Sequence, residues 1–197
     1  MFTGIIETIG TVKNIVAEGT NLHFTIQSPI SNELKIDQSV SHNGVCLTVV
    51  AMDAANTTHT VTAIHETLIK TNLGNWQVGS IVNIERCMPA NGRFDGHIVQ
   101  GHVDQTATCT NVEEADGSWY YTFEYEPKGN ITVEKGSITI NGVSLTVVNS
   151  TNKGFSVAII PYTYEHTNFQ TLQVGQTVNL EFDIVGKYIA RLLEQRN

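Results

Sequence analysis

Ser41-His42-Asn43-Gly44-Val45-Cys46-Leu47-Thr48-Val49-Val50 is written a second time, with few changes, as Thr139-Ile140-Asn141-Gly142-Val143-Ser144-Leu145-Thr146-Val147-Val148. Seven of the ten positions are identical, and the second copy follows the first by 98 residues. Each copy breaks a run of β-branched and apolar residues with Asn-Gly, a turn former. Working outward, Val78-Gly79-Ser80-Ile81-Val82-Asn83-Ile84-Glu85 matches Val174-Gly175-Gln176-Thr177-Val178-Asn179-Leu180-Glu181, and Thr71-Asn72-Leu73 matches Thr167-Asn168-Phe169. Gly4-Ile5-Ile6-Glu7 falls on Gly101-His102-Val103-Asp104. Order and spacing are kept throughout, so the chain is an internal duplication. A period near 97 residues is too long for a solenoid unit and is the size of a domain.

We therefore expect two homologous domains, 1–92 and 98–186, joined near Pro89-Ala90-Asn91-Gly92-Arg93. In the first, apolar runs are short: Gly10 to Val16, Leu22 to Gln27, Val45 to Met52, Val61 to Ile64, Ser80 to Glu85. Short strands with regular turn signals indicate an all-β sandwich or barrel, and closure into a barrel removes exposed edges. One short helix is expected in each half, near Glu66-Thr67 and Tyr162-Thr163. The tail differs. Ile184, Val185, Tyr188, Ile189, Leu192 and Leu193 form the stripe of an amphipathic helix, which either docks on its own barrel or packs against other subunits.

The 197 residues are 41% hydrophobic and 15% charged, which excludes a disordered chain. A net charge of −8 without a Lys/Arg cluster argues against nucleic acid and against an anionic membrane surface. Cys46, Cys87 and Cys109 form no CxxC pair, so reduced thiols in a cytoplasmic protein are the simplest reading. The first residues show no signal peptide, and no run is long enough to span a membrane.

Met1-Phe2-Thr3-Gly4-Ile5-Ile6, the duplicated Asn-Gly-Val-Cys/Ser-Leu-Thr-Val, and Gly96-His97-Ile98-Val99-Gln100-Gly101-His102-Val103-Asp104 resemble the riboflavin synthase family over the whole chain. The resemblance implies two tandem six-stranded Greek-key barrels with a C-terminal helix, at residues 187–197, that builds a homotrimer. It implies a transferase that dismutates two molecules of 6,7-dimethyl-8-ribityllumazine, one in each barrel, by four-carbon transfer. The products are riboflavin and 5-amino-6-(D-ribitylamino)uracil, and this is the last step of riboflavin biosynthesis. No cofactor and no metal is implied, and the site lies between barrels of neighbouring subunits. The resemblance is compatible with an association with lumazine synthase. Two homologous pockets suit such chemistry, because they turn the meeting of two identical substrates into a positioned one. The alternative is a lumazine- or flavin-binding antenna protein without catalysis; an oligonucleotide-binding barrel is disfavoured by the acidic composition.

Cys46 and Ser144 hold matching positions, and the resemblance makes them ring contacts with diverged roles. Residues i and i+2 of a strand share a face, so Thr48 and Thr146 point with them, and Leu47 and Leu145 lie between. An imidazole titrates near working pH, which makes His102, ahead of His97, the acid–base candidate. No base stands beside Cys46 or Ser144 in sequence to activate either. The resemblance brings Phe2 near the cleft and puts Gly4, Ile5, Ile6, Gly101 and Val103 at the ring edge. It gives ribityl contacts to Thr62, Ala63, Ile64, His65, Glu66 and Thr67, and to Ile159, Ile160, Pro161, Tyr162, Thr163 and Tyr164. Glu66 would accept from the ribityl hydroxyls; its repeat partner is Tyr162, a departure from the carboxylate usual there. Lys135 is a candidate for the ring carbonyls, and Asn83 and Asp183 are weaker candidates in support. His42 has no role in this reading.

Overall fold

In the computed structural model of the chain, which describes residues 1–195, the duplication becomes two closed, all-antiparallel six-stranded barrels. The first comprises β1 (Thr8–Glu18), β2 (Asn21–Gln27), β3 (Ser39–His42), β4 (Val45–Asp53), β5 (Thr58–Ala63) and β6 (Ile81–Arg86). Around it the order is β1-β2-β5-β4-β3-β6. The second comprises β7 (Gln105–Ala115), β8 (Ser118–Glu124), β9 (Ser137–Ile140), β10 (Val143–Val148), β11 (Gly154–Ile159) and β12 (Thr177–Phe182). It repeats the same cyclic order, and each barrel is a Greek key in which the second strand pairs with the fifth. The register slips between Val12 and Asn14 and again between Cys109 and Asn111. These equivalent bulges add the bend that closure requires.

Asn43-Gly44 and Asn141-Gly142 are the two-residue turns of the β3–β4 and β9–β10 hairpins, with positive φ at all four residues. Gly44 and Gly142 also face each other: a Cβ on either would stand 2.8 Å from the other's backbone nitrogen. The conserved turn of the repeat is thus where the two barrels touch, and six asparagines seal it. Asn43 Oδ1 accepts from Asn83 N at 2.7 Å and from Asn168 Nδ2 at 3.1 Å. Asn83 Nδ2 donates to Asn141 O and Asn168 Oδ1, both at 2.9 Å. Across the pseudo-two-fold, Asn179 N donates to Asn141 Oδ1, Asn179 Nδ2 to Asn43 O, and Asn72 N to Asn179 Oδ1.

Three α-helices and three short 3-10 helices complete the described residues. α1 (His65–Lys70) and α2 (Pro161–His166) follow β5 and β11, each one residue ahead of expectation. For α2 the reason is Pro161 at its first turn, whose fixed φ and missing N–H suit that position. β5 begins three residues before the expected Val61, because His59, polar in sequence, points into the barrel core. α3 (Ile184–Glu194) starts three residues ahead of the boundary expected at 187, capped by the Asp183 carboxylate on Val185 N at 2.9 Å. Its first turn is tied down by Lys187, 2.6 Å from Asp104. Arg196 and Asn197, at the end of the expected tail helix, lie outside the described residues. Val185, Tyr188, Ile189, Leu192 and Leu193 are all more than half exposed, so the helix does not bury its stripe on its own barrel. Among the described residues no helix is long and apolar enough to cross a membrane.

Candidate active site

In β4 and β10, Leu47, Val49 and Val147 fill the barrels while Cys46, Thr48, Ser144 and Thr146 stand on the open face. The expected sharing of a face by i and i+2 holds in both copies. What covers that face is the stretch of chain leading into each barrel, residues 1–7 ahead of β1 and 96–104 ahead of β7. The two leaders cross. Phe2 and Val99, equivalent residues of the repeat, exchange backbone hydrogen bonds of 2.7 and 3.1 Å. Beyond the crossing each leader lies on the other barrel: Ser144 N donates to Gly4 O and Cys46 N to Gly101 O, both at 2.8 Å. Ile6 packs against the second core and Val103 against the first. Each pocket is therefore assembled from both halves of the chain.

Glycine makes this approach feasible. A Cβ on Gly4 would stand 2.6 Å from Ser144 Cβ, and one on Gly101 2.7 Å from Cys46 Cβ. Two buried glutamates hold the leaders from behind. Glu85 accepts from Thr3 N, Thr3 Oγ1 and Gly4 N at 2.7, 2.9 and 3.0 Å. Its repeat partner Glu181 accepts from Gln100 N and His102 N at 2.6 and 2.8 Å. Burial pushes both carboxyls above the usual range, and these hydrogen bonds oppose it.

The pockets differ in chemistry. Beside Ser144 stands His97: its Nδ1 is 2.7 Å from Ser144 Oγ and its Nε2 3.2 Å from Thr139 Oγ1. With the Nε2 proton donated to Thr139, Nδ1 is free to accept the Ser144 proton. Burial lowers the His97 pKa, partly offset by Asp183, which keeps the ring neutral and able to act as a base. Cys46 has no such neighbour. Burial pushes its thiol pKa up against a hydrogen bond with Ser39, so it remains a thiol rather than an activated thiolate.

The structure thus sets His97 against Ser144, whereas the sequence favoured His102. The reason is the crossing, which sequence distance conceals. His102 is exposed on the leader that covers Cys46, at the position of Ile5 on the other side. Thr62 shares a hydrogen bond with His23 at 2.8 Å, and Ala63 and Ile159 are buried in their cores. Ile64, His65, Glu66, Ile160, Pro161 and Tyr162 are exposed, with Thr67, Thr163 and Tyr164 half-buried, along the walls formed by α1 and α2. Lys135 is exposed in a left-handed turn ahead of β9. Asn83 belongs to the seam between barrels, and Asp183 caps α3. Glu85 and Glu181 were legible only as the repeated ends of a strand motif.

The lumazine binding domain family matches twice, over residues 3–87 and 100–183. A riboflavin synthase of Actinobacillus pleuropneumoniae is 44% identical over 195 residues, covering 98% of this chain and 90% of that protein. A riboflavin synthase of Bacillus subtilis is 42% identical over 199 residues, covering 100% and 92%. Among solved structures, LumP complexed with riboflavin superposes with a TM-score of 0.84 at 25% identity, covering 92% of this chain and 98% of that one.

Proposed function

Because the chain belongs to the lumazine-binding domain family, we propose that it catalyses the riboflavin synthase reaction. Two molecules of 6,7-dimethyl-8-ribityllumazine dismutate, and four carbons pass from one ring to the other. The first pocket comprises Cys46, Leu47 and Thr48, the Thr62–Thr67 wall, and Gly101, His102 and Val103. The second comprises Ser144, Leu145 and Thr146, the Ile159–Tyr164 wall, and Gly4, Ile5 and Ile6. Phe2 stands at the crossing between them, and Lys135 at the rim of the second.

The observation that carries this reading is a pair of matched pockets in which Ser144 has an imidazole, His97, at 2.7 Å while Cys46 at the matching position is a thiol raised in pKa by burial. His97 takes the Ser144 proton, so that Ser144, or a water on it, can add to or deprotonate the ring bound there. At the other ring the Cys46 thiol stays protonated and serves as a donor, with His102 at the rim to move a proton. A binding protein without catalysis has no use for the Ser144–His97 couple, and the chain is closer to the riboflavin synthases, at 44 and 42% identity, than to LumP, at 25%. The bare apolar stripe of α3 supports assembly as a homotrimer, with the two barrels that react coming from neighbouring subunits. Reduced thiols agree with the cytoplasm.

The test is to mix the protein with the lumazine alone and follow riboflavin by absorbance. One riboflavin per two lumazines is expected; tight binding with no riboflavin would overturn the reading. His97→Ala should lower kcat by about a hundredfold or more with ligand fluorescence titration nearly unchanged. Equal loss of binding would make His97 a scaffold residue.

A further inference from the structure

The two leaders end on matched carboxylates, Glu7 and Asp104, and each accepts from the backbone of the last strand of its own barrel. Arg86 N donates to Glu7 Oε2 at 2.8 Å, and Phe182 N to Asp104 Oδ2 at 2.9 Å. The charge that completes each clamp differs in origin. In the first, Arg86 is also the cation, and its guanidinium reaches Glu7 at 2.7 Å. In the second, the same strand position is Phe182, a buried core residue. The cation comes instead from α3: Lys187 Nζ donates to both oxygens of Asp104, at 2.8 and 2.6 Å, and the two side chains are only 23 and 19% exposed. Lys70 of α1 lines the same crevice as Asp104 but is engaged by Glu66 at 2.8 Å.

We propose that Lys187 is a positioning residue of the first pocket: through Asp104, the tail helix fixes the leader at 100–104 over Cys46. The inference rests on the reading above that this pocket holds one of the two reacting lumazines. Asp104 follows directly on Val103, which packs against the first core, and on Gly101, whose carbonyl accepts from Cys46 N. The other anchor of this leader is Glu181, which holds the amides of Gln100 and His102. Burial pushes the Glu181 carboxyl up; the leader's amides and the Lys187 charge oppose that, so one ammonium supports both anchors. The first leader takes nothing from α3, because Arg86 and Glu85 both belong to its own barrel. The tail helix therefore acts on the first pocket and not on the second. It does so within one chain, apart from any contact its apolar stripe makes with another copy.

Cys46 reports on the leader that covers it. On the full chain without ligand, its alkylation by iodoacetamide is mapped by mass spectrometry with Cys87 as the reference. Amide exchange of Gln100 and His102 is compared with that of Thr3 and Gly4. Lys187→Met should speed Cys46 alkylation and the exchange of Gln100 and His102 by about tenfold, the yield of one lost charge-assisted contact. Cys87, Thr3 and Gly4 should stay within about twofold, because only one leader opens. Lys187→Arg, which keeps the cation, should restore the parent's values. Asp104→Asn leaves α3 whole and should match Lys187→Met, and the double variant should be no worse than either. Turnover of the lumazine should fall at least about fivefold in Lys187→Met and Asp104→Asn and return in Lys187→Arg. Unchanged alkylation of Cys46 in Asp104→Asn would overturn the proposal, whatever Lys187→Met does to assembly. So would equal loosening of both leaders, which is general destabilisation. A parent that forms no riboflavin would sink the function proposed above, while the alkylation and exchange rates would still decide this one.

Discussion

His42 and His59 show how far two copies of one fold can drift at single residues. Both point into the first barrel, fully buried, where the second barrel has Ile140 and Phe155. His42 Nδ1 faces Val40 O at 3.1 Å, which assigns it the proton and makes its Nε2 an acceptor. His59 Nε2, 2.8 Å away, is then the donor, and His59 Nδ1 accepts from the Ser31 hydroxyl at 2.8 Å. The chain of hydrogen bonds is complete only with both rings neutral. Burial, aided by the neighbouring ring, holds His42 down to about 3, and burial holds His59 down to about 4. In the unfolded chain each titrates near 6.5. As pH falls below that value the unfolded state takes up protons the folded state refuses. Stability is therefore full above the unfolded pKa and is lost downward toward pH 4, by up to about 1.4 kcal/mol per pH unit for each ring. The double variant His42→Ile, His59→Phe, copying the second barrel, should lose less stability between pH 7.5 and pH 5 in urea unfolding. Equal acid sensitivity of variant and parent would refute the account. His42→Ile alone should be worse than the double change, because it orphans the His59 donor at a cost of about 1–3 kcal/mol.

At the scale of elements, the strands, the Asn-Gly hairpins, the faces of β4 and β10 and the closure into two barrels were legible in the sequence, because period-2 alternation and turn chemistry are local. The crossing of the leaders was not. Gly4-Ile5-Ile6 and Gly101-His102-Val103 read as repeats of each other, and nothing local says that each lies on the opposite barrel. For the same reason the His97–Ser144 contact, between residues 47 apart, escaped notice. The two glutamates that anchor the leaders looked like strand ends, and the asparagine seam looked like mere repeat identity. Glycine tests the crossing directly. Gly101 has φ +78 and no room for a Cβ beside Cys46, whereas Gly79 has φ +96 with nothing within 4 Å. Gly79→Ala should lose about 1–2 kcal/mol of stability from backbone strain alone, with turnover kept. Gly101→Ala carries a similar strain but must also push the leader off the Cys46 pocket, so its turnover should fall at least about tenfold, each tenfold being 1.36 kcal/mol of barrier. If both variants turn over alike, the leader's fit against Cys46 is not needed for activity.

The whole molecule is held together by its pseudo-two-fold seam and left unfinished at its end. At the seam, Gly44 against Gly142 and the six buried asparagines hold the two barrels together. In the arrangement proposed above, a second copy of the chain brings a first-barrel pocket against a second-barrel pocket, where the two bound rings exchange carbons. α3 has no counterpart in the duplication, and it is the element that breaks the symmetry. It is fastened at its start by the Asp183 cap and by Lys187 on Asp104, and it then exposes Tyr188, Ile189, Leu192 and Leu193 in a single stripe. A stripe of this size on a monomer is a liability unless another copy covers it. Truncation after Asp183 removes the stripe but leaves both barrels, both leaders and the asparagine seam in place. The truncated chain should fold with the circular dichroism of a β protein and sediment as a monomer. It should keep binding riboflavin and convert lumazine at least about a hundredfold more slowly, since the loss of a held partner forfeits positioning worth several kcal/mol. The full-length protein should sediment as a trimer. Full activity in a truncated chain that sediments as a monomer would mean that one chain brings its own two pockets together, and the inter-subunit arrangement would have to be abandoned.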